Sequence, residues 1–362
     1  MLIKKKEIAL LLIFLSLVVA NLFAENYYFK RYDKENGLSQ QTVFCAVQDR
    51  RGFLWFGTKV GLNRFDGTKF KNYVADPEQP NSLPNNTVLA LAEAPDGSLW
   101  LGTSDGLCIY NPEKDTFAPF VSADLAIEGL IDNLVFDKQG NLWVINSKGI
   151  YCLDVKNGNH KFFSASDFFV PTGITVTQSG SVWVLGLDGN IYLFNPQRME
   201  FSSYPILTKE EKTKHILLYR ILECSNGDLV VTTDRIGARR FSPNNGEVKV
   251  LFSNDYQNNP IYIHTAIQRN KDEFWFGTES GIHIYQLDLG FIDHLQKSYN
   301  DAYSLSDNAV HMLLKDREEG IWVGTFFGGV NYLSSNNTLF DKYLPKDEKA
   351  VSYTHLRAHE TK

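Results

Sequence analysis

The chain has 362 residues and a net charge of −6, and its basic residues form no stripe. These features give no reason to expect a nucleic-acid partner for this segment. Aromatic residues make up 13% of the chain, which suits sheets packed face to face.

Residues 1–24 differ from the rest of the chain. Three lysines, Lys4-Lys5-Lys6, precede an apolar run from Ile8 to Phe23. This pattern predicts a signal peptide or an N-terminal membrane anchor, and the shortness of the apolar run favours the signal peptide. Either form predicts an exported, periplasmic location for the rest of the chain.

The remaining sequence is a repeat of about 45 residues marked by tryptophan. Each tryptophan lies in an apolar run after a turn, as in Phe53-Leu54-Trp55-Phe56. Trp183 and Trp275 are separated by two repeat lengths, and Val230 fills the slot between them. The seven slots are Trp55, Trp100, Trp143, Trp183, Val230, Trp275 and Trp322.

Each repeat contains four short runs rich in β-branched and aromatic residues, separated by glycine turns. Such runs predict four antiparallel strands, and four strands per repeat predict a propeller blade. We therefore expect an all-β fold, a seven-bladed β-propeller over residues 25–345. The tryptophan strands do not alternate between apolar and polar residues, so the six tryptophans are predicted to form structural core between blades.

The ends of the ring are predicted to meet. Tyr27–Tyr32 resembles the outermost strand of a blade, as does Phe70–Tyr73. With this segment included, the chain has eight outer strands but only seven sets of three inner strands. We therefore expect Tyr27–Tyr32 to complete the seventh blade. Phe340–Tyr343 would then be free to begin a further structural element outside the seventh blade.

The sequence predicts no cofactor, no metal site and no catalytic residue. Its four cysteines lie on four different repeats without Cys-x-x-Cys spacing and are interpreted as buried small side chains. Residues 346–362 belong to no repeat and are interpreted as a non-native or truncated tail. His355 and His359 in that tail are not interpreted as a metal pair.

Candidate ligand-binding residues lie on one face of the predicted ring. In a propeller, the connections between blades and the turns between second and third strands emerge on the same face, and long loops on a rigid scaffold commonly bind ligands. Arg235, Arg239 and Arg240 are expected to cluster there. The ring-face candidates are Lys59, Asp105, Lys148, Asp188, Arg235, Arg239, Glu279, Phe326 and Phe327.

Residues 36–67 resemble the regulator-propeller repeat of bacterial hybrid two-component sensors. The matching elements include Gly37-Leu38-Ser39, Leu54-Trp55 and Gly57-Thr58. The pattern recurs around Asn81-Ser82-Leu83 and Tyr303-Ser304-Leu305.

The resemblance implies a larger receptor. Members of that family combine an export signal, two propellers and a β-sandwich with a membrane helix, a histidine kinase and a DNA-binding domain. It implies that this chain senses oligosaccharides in the periplasm and helps control polysaccharide-utilisation genes. The second propeller and the kinase would lie outside this chain, and the full receptor would be a membrane-tethered homodimer.

Two other functions stay open at this point. A propeller enzyme, such as a glycosidase or lyase, would need a pair of acids or a His/Tyr base at the ring mouth. Asp105 and Asp188 are available, but no constellation stands out, and the chain is not expected to be an enzyme. A protein-interaction scaffold would share the fold and the loops.

Overall fold

The computed structural model describes residues 27–121, 125, 127–165, 170–287 and 289–335. The predicted signal segment of residues 1–24, Phe340–Tyr343 and the predicted tail lie outside these residues.

The first three blades are four-stranded antiparallel sheets in simple chain order. Alternating hydrophobic runs and glycine turns produce this meander, because glycine accepts the positive φ of tight hairpins. The strands are β2 (Val43–Gln48), β3 (Leu54–Thr58), β4 (Gly61–Phe65) and β5 (Phe70–Tyr73); β6 (Val88–Glu93), β7 (Leu99–Thr103), β8 (Gly106–Asn111) and β9 (Thr116–Pro119); and β10 (Asn133–Phe136), β11 (Asn141–Asn146), β12 (Gly149–Asp154) and β13 (His160–Ser164).

The next three blades repeat the arrangement, with one short helix between the fourth and fifth. Among the described residues, no helix is long and apolar enough to cross a membrane. The elements are β14 (Pro171–Val176), β15 (Val182–Gly186), β16 (Asn190–Asn195) and β17 (Glu200–Pro205); α1 (Lys209–Thr213); β18 (Leu218–Glu223), β19 (Leu229–Thr233), β20 (Ala238–Ser242) and β21 (Glu247–Phe252); and β22 (Ile263–Gln268), β23 (Glu273–Thr278), β24 (Gly281–Gln286) and β25 (Gly290–Leu295).

The seventh blade joins the two ends of the ring, as predicted. Its inner strands are β26 (Val310–Lys315), β27 (Ile321–Thr325) and β28 (Val330–Leu333), and its outermost strand is β1 (Lys30–Tyr32). Strand β1 pairs antiparallel with β28. The first strands of successive blades are neighbours, and β26 is next to β2, so the seven inner strands surround a central channel. Both the all-β class and the seven-bladed β-propeller are confirmed.

The predicted tryptophan core is also confirmed. Trp55 and Trp275 are fully buried, and Val230 is equally buried in the slot without a tryptophan. The second strands that carry them are buried along their whole length in most blades. Each blade therefore contributes its second strand to the packing between neighbouring sheets.

A buried aspartate holds the tryptophan in three blades. Asp49 Oδ2 accepts a hydrogen bond of 2.9 Å from Trp55 Nε1, and Oδ1 accepts bonds from the amides of Arg51 and Phe53. The same indole bond joins Asp137 to Trp143 at 2.9 Å and Asp316 to Trp322 at 2.8 Å. The carboxylate thus holds both the backbone of the turn and the indole side chain of the tryptophan.

The four cysteines are unpaired. Cys108 and Cys224 are buried, and Cys45 and Cys152 are half-buried. Burial raises the pKa of each thiol to about 12. They are therefore neutral packing groups at physiological pH.

We predict that Asp49→Ala lowers the free energy of unfolding by at least about 2 kcal/mol, because it leaves buried donors on Trp55 and Phe53 without an acceptor. Denaturant titration measures this loss. Asp96→Ala is the matched control, because Asp96 lies in the equivalent exposed turn and bonds Ser98 instead of a tryptophan. Its loss should stay below about 1 kcal/mol. Equal losses in the two variants would contradict this role.

We predict that Tyr32→Ala loosens the closure of the ring. The Tyr32 ring lies 5.2 Å from that of Phe65 in the first blade and 5.9 Å from that of Trp322 in the seventh. Removing a buried aromatic ring costs about 3 kcal/mol or more, and hydrogen exchange should accelerate in β28. The exposed Lys34→Ala should change stability by less than about 0.5 kcal/mol. Unchanged exchange in β28 would show that β1 does not close the ring.

Candidate functional site

Eight of the nine ring-face candidates lie in turns between second and third strands, and Arg239 lies within β20. Lys59 lies between β3 and β4, and its amide donates to Thr42 O, just before β2. Phe326 lies between β27 and β28, and its amide donates to Ala309 O, just before β26. These bonds place the turns and the connections between blades on one face of the ring.

Most of these candidates are engaged locally. Lys148 Nζ lies 3.6 Å from Glu128 Oε2. Asp188 accepts a hydrogen bond of 2.7 Å from the hydroxyl of Tyr192. Lys59 and Asp105 are exposed on the first and second blades. The candidates are distributed around the ring, and these four do not form one site.

Arg239 is buried and has a structural partner. Its side chain is 2% exposed, and Nη2 donates to Glu211 Oε1 at 2.7 Å. Burial acts to raise the pKa of Glu211, but hydrogen bonds from the Thr208 amide and from Arg239 outweigh it and hold that pKa below its usual value. Arg239 therefore fastens the α1 connection to β20. Its side chain is therefore not exposed on the ring face, and a ligand contact of Arg239 stays a prediction.

The three arginines do not form the single cluster that the sequence suggested. Arg235 Nη2 donates to His215 O at 2.7 Å. Arg240 instead bonds Asp228, which precedes β19 at the other end of the sheet. The reason is the period of a strand, since adjacent residues in β20 face opposite sides of the sheet.

A cleft lies on the ring face between the fourth and fifth blades. It has a volume of about 290 Å³. Lys212 of α1 reaches across it, and its Nζ donates to Asn190 Oδ1 at 2.6 Å. The lining residues are Leu187, Asp188, Gly189, Leu207, Lys212, His215, Ile216 and Leu217.

A second feature of the ring face comes from β-bulges. In six of the seven inner strands the pairing with the second strand skips one residue. The third blade lacks this break, because Asn133 pairs directly with Ile145 and Leu134 with Val144. A bulge turns an extra side chain away from the regular ladder. The bulged residues are Phe44, Leu89, Thr172, Tyr219, His264 and His311.

Bulged residues of three successive blades meet at the end of the channel. The Tyr219 and His264 rings lie 5.6 Å apart, edge to face, and His264 stacks on His311 at 4.3 Å. The His311 ring lies 5.2 Å from that of Phe326, and Glu279 Oε1 lies 2.5 Å from His264 Nε2. We call these five residues, Tyr219, His264, Glu279, His311 and Phe326, the mouth cluster.

The electrostatics of the mouth cluster favour a neutral His311. Burial and the neighbouring His264 lower the pKa of His311 to about 4, against the opposing effect of Glu279. Glu279 Oε1 is 3.7 Å from His311 Nε2, and its side chain is half exposed. The cluster thus offers imidazole nitrogen, carboxylate oxygen and aromatic faces in one place.

The sequence identified Glu279 and Phe326 but missed Tyr219, His264 and His311. A signal for them exists, because the bulged residues share one slot of the repeat. His264 precedes Trp275 by eleven residues, and His311 precedes Trp322 by the same number. Alignment of the repeats on tryptophan therefore places the bulged residues at one position of the repeat. It does not show that their side chains meet.

Three segments of the chain match the model of the two component regulator propeller family. They are residues 37–59, 82–105 and 304–327. These segments cover the first two strands of the first, second and seventh blades together with the connections that precede them.

A similar curated protein is histidine kinase P4 of Formosa agariphila, which is 49% identical over 53 residues. That match covers 15% of this chain and 4% of the kinase.

Solved structures resemble the whole ring. The extracellular domain of the putative hybrid two component system BT3049 from B. thetaiotaomicron has a TM-score of 0.71 at 25% identity, over 85% of this chain and 42% of that one. The corresponding domain of BT4673 has a TM-score of 0.74 at 20% identity, over 87% and 40%. The chain spans less than half the length of these relatives. It is a seven-bladed β-propeller, and three of its blades contain segments that match the two component regulator propeller family.

Proposed function

We propose that this chain is the extracytoplasmic sensing propeller of a hybrid two-component receptor and that it binds oligosaccharides at the mouth cluster. The observation that carries the proposal is the meeting of three bulged inner-strand residues with Glu279 and Phe326 on the ring face. The regulator-propeller repeats and the likeness to extracellular domains of two-component systems support the receptor context.

The chemistry of the mouth suits a sugar. Aromatic faces pack against the apolar faces of pyranose rings, while charged groups hydrogen-bond hydroxyls or uronate carboxylates. Phe327 is 68% exposed next to Phe326, and their rings lie 4.7 Å apart. Arg220, whose guanidinium lies 5.1 Å from the centre of the Tyr219 ring, adds a cation beside these aromatics.

A binding role fits the mouth better than catalysis. Glycosidases place two carboxyl groups about 5–10 Å apart across the bond that they cleave. Glu279 is the one carboxylate among the five members of the mouth cluster, and it is engaged with His264. Asp307 lies nearby, and its carboxylate accepts a hydrogen bond from the Phe327 amide. This argument speaks against a glycosidase. A lyase would need a His or Tyr base, and Tyr219, His264 and His311 lie at the mouth, so recovery of intact sugar is the test of the non-enzymatic role that we propose.

Signalling would follow from differential affinity. A ligand shifts a receptor between two arrangements only if it binds one more tightly. In our proposal the longer protein supplies a second propeller, a membrane tether and a kinase, acts as a homodimer in the periplasm and controls polysaccharide-utilisation genes. In this proposal the ligand binds to the propeller described here.

We predict that one class of oligosaccharide stabilises the purified protein against heat. A panel of plant, host and microbial oligosaccharides tests this, because a ligand at 100 times its Kd adds about 2.7 kcal/mol. The sugar should be recovered intact.

Variants locate the site. Replacing Phe326 and Phe327 together by Ala should weaken binding by at least tenfold in calorimetry. Phe162→Ala is the matched control, because Phe162 is a partly exposed aromatic on the outer strand β13. No stabilisation by any sugar, or equal affinity in the two variants, would contradict the proposal. Cleavage of the sugar would contradict the non-enzymatic role.

A further inference from the structure

We propose that His264, Glu279 and His311 bind a divalent transition-metal ion of the zinc class at the mouth of the channel. This inference depends on the positions of three donor groups and stands whether or not the ring binds a sugar. The sequence predicted no metal site, because the three residues come from two blades and show none of the short spacings typical of metal motifs.

The donor atoms already converge. Each residue offers one ligand atom, and all three atoms lie within 4.8 Å of one another. Glu279 Oε1 is 2.5 Å from His264 Nε2 and 3.7 Å from His311 Nε2. In a tetrahedral zinc site with bonds of about 2.1 Å, ligand atoms are about 3.4 Å apart. The His311 distance is close to that value, and the His264 distance must open by about 1 Å.

The backbone holds two of the ligands in place. His264 and His311 are the bulged residues of adjacent inner strands, β22 and β26, and their rings stack at 4.3 Å with an angle of 16° between planes. Glu279 lies in the turn after β23, which pairs with β22. The backbone positions are therefore close, but the two rings must rotate out of their stack to share one ion, because a metal bonds an imidazole nitrogen in the plane of the ring.

The ligand types select among metals. Two imidazoles and one carboxylate suit zinc and its transition-metal neighbours, whereas calcium and magnesium prefer oxygen ligands alone. The carboxylate of Glu279 favours a cation, and the guanidinium of Arg220, which lies 5.1 Å from the centre of the Tyr219 ring, opposes it. Three protein ligands leave a fourth position open, as in zinc sites that bind a water or an external ligand. The half-exposed side chain of Glu279 leaves that position accessible from the ring face.

One feature limits the expected affinity. His264 Nδ1 is buried and has no hydrogen-bond partner in the described part of the chain. Zinc-bound histidines usually donate this second N–H to a carboxylate or carbonyl, and loss of that partner lowers metal affinity about 10–100-fold. We therefore expect weaker binding than in a fully supported structural zinc site.

The test is a calorimetric titration of the tag-free, chelator-treated full chain with zinc chloride. The wild type should bind zinc at this site, and Co²⁺ bound there should give the visible absorption of a tetrahedral complex. Glu279→Gln and His311→Gln should each lower zinc affinity at least tenfold. Calcium and magnesium chloride should not compete.

The matched control is His294→Gln. His294 also stacks on a histidine, His283, at 4.0 Å in the same blade, but that pair does not belong to the three-donor group. This variant should bind zinc like the wild type, and circular dichroism should be unchanged in all variants. No zinc binding by the wild type would overturn the proposal. Affinity unchanged by Glu279→Gln and His311→Gln, or reduced equally by His294→Gln, would overturn it too.

Discussion

The close approach of each blade to the next is the constraint on which the ring and its mouth depend. A Cβ atom added at Gly57 would lie 2.8 Å from Val88 O, and one at Gly277 would lie 2.6 Å from Val310 Cγ1. Both distances are shorter than side chains tolerate. Because glycine leaves this space free, the first strand of the next blade packs directly on the second strand of the one before. Between the sixth and seventh blades, where Gly277 faces Val310, this spacing also brings the bulged residues His264 and His311 into contact.

The sequence was sufficient for the architecture because its strongest signals are local and periodic. The buried tryptophans repeat at one interval. The number of blades, and the valine at position 230 where the other repeats have tryptophan, could therefore be inferred without a structure. The Leu-Ser pair that recurs at Leu38-Ser39 and Leu305-Ser306 has a similar cause. Ser39 and Asn63 exchange hydrogen bonds of 2.8 and 2.9 Å, and Ser306 and Asn331 do the same in the seventh blade at 2.9 Å. In these two blades the serine therefore joins the inter-blade connection to the third strand, β4 or β28.

The site was less predictable because it depends on register and direction. The turn carrying Glu279 could be placed on the ring face from strand order alone. Whether His264 and His311 face each other depends on bulges in β22 and β26, which change strand pairing by one residue and leave no mark in composition. Arg239 shows the opposite case. Its charge suggested an exposed side chain, but the side chain is buried. Only the packing of the α1 connection shows that Glu211 neutralises it in the interior.

Two places on the ring face compete as ligand sites, the mouth cluster and the cleft beside α1. They differ in chemistry, since the mouth combines imidazole, carboxylate and aromatic groups, and the cleft is lined by leucines with Asp188 and Lys212. The most direct measurement is a crystal structure of the protein with the oligosaccharide that stabilises it most. We expect sugar density at the mouth, against Phe326 and within hydrogen-bonding distance of Glu279. Sugar density confined to the cleft beside α1, or to the outer strands, would contradict binding at the mouth cluster.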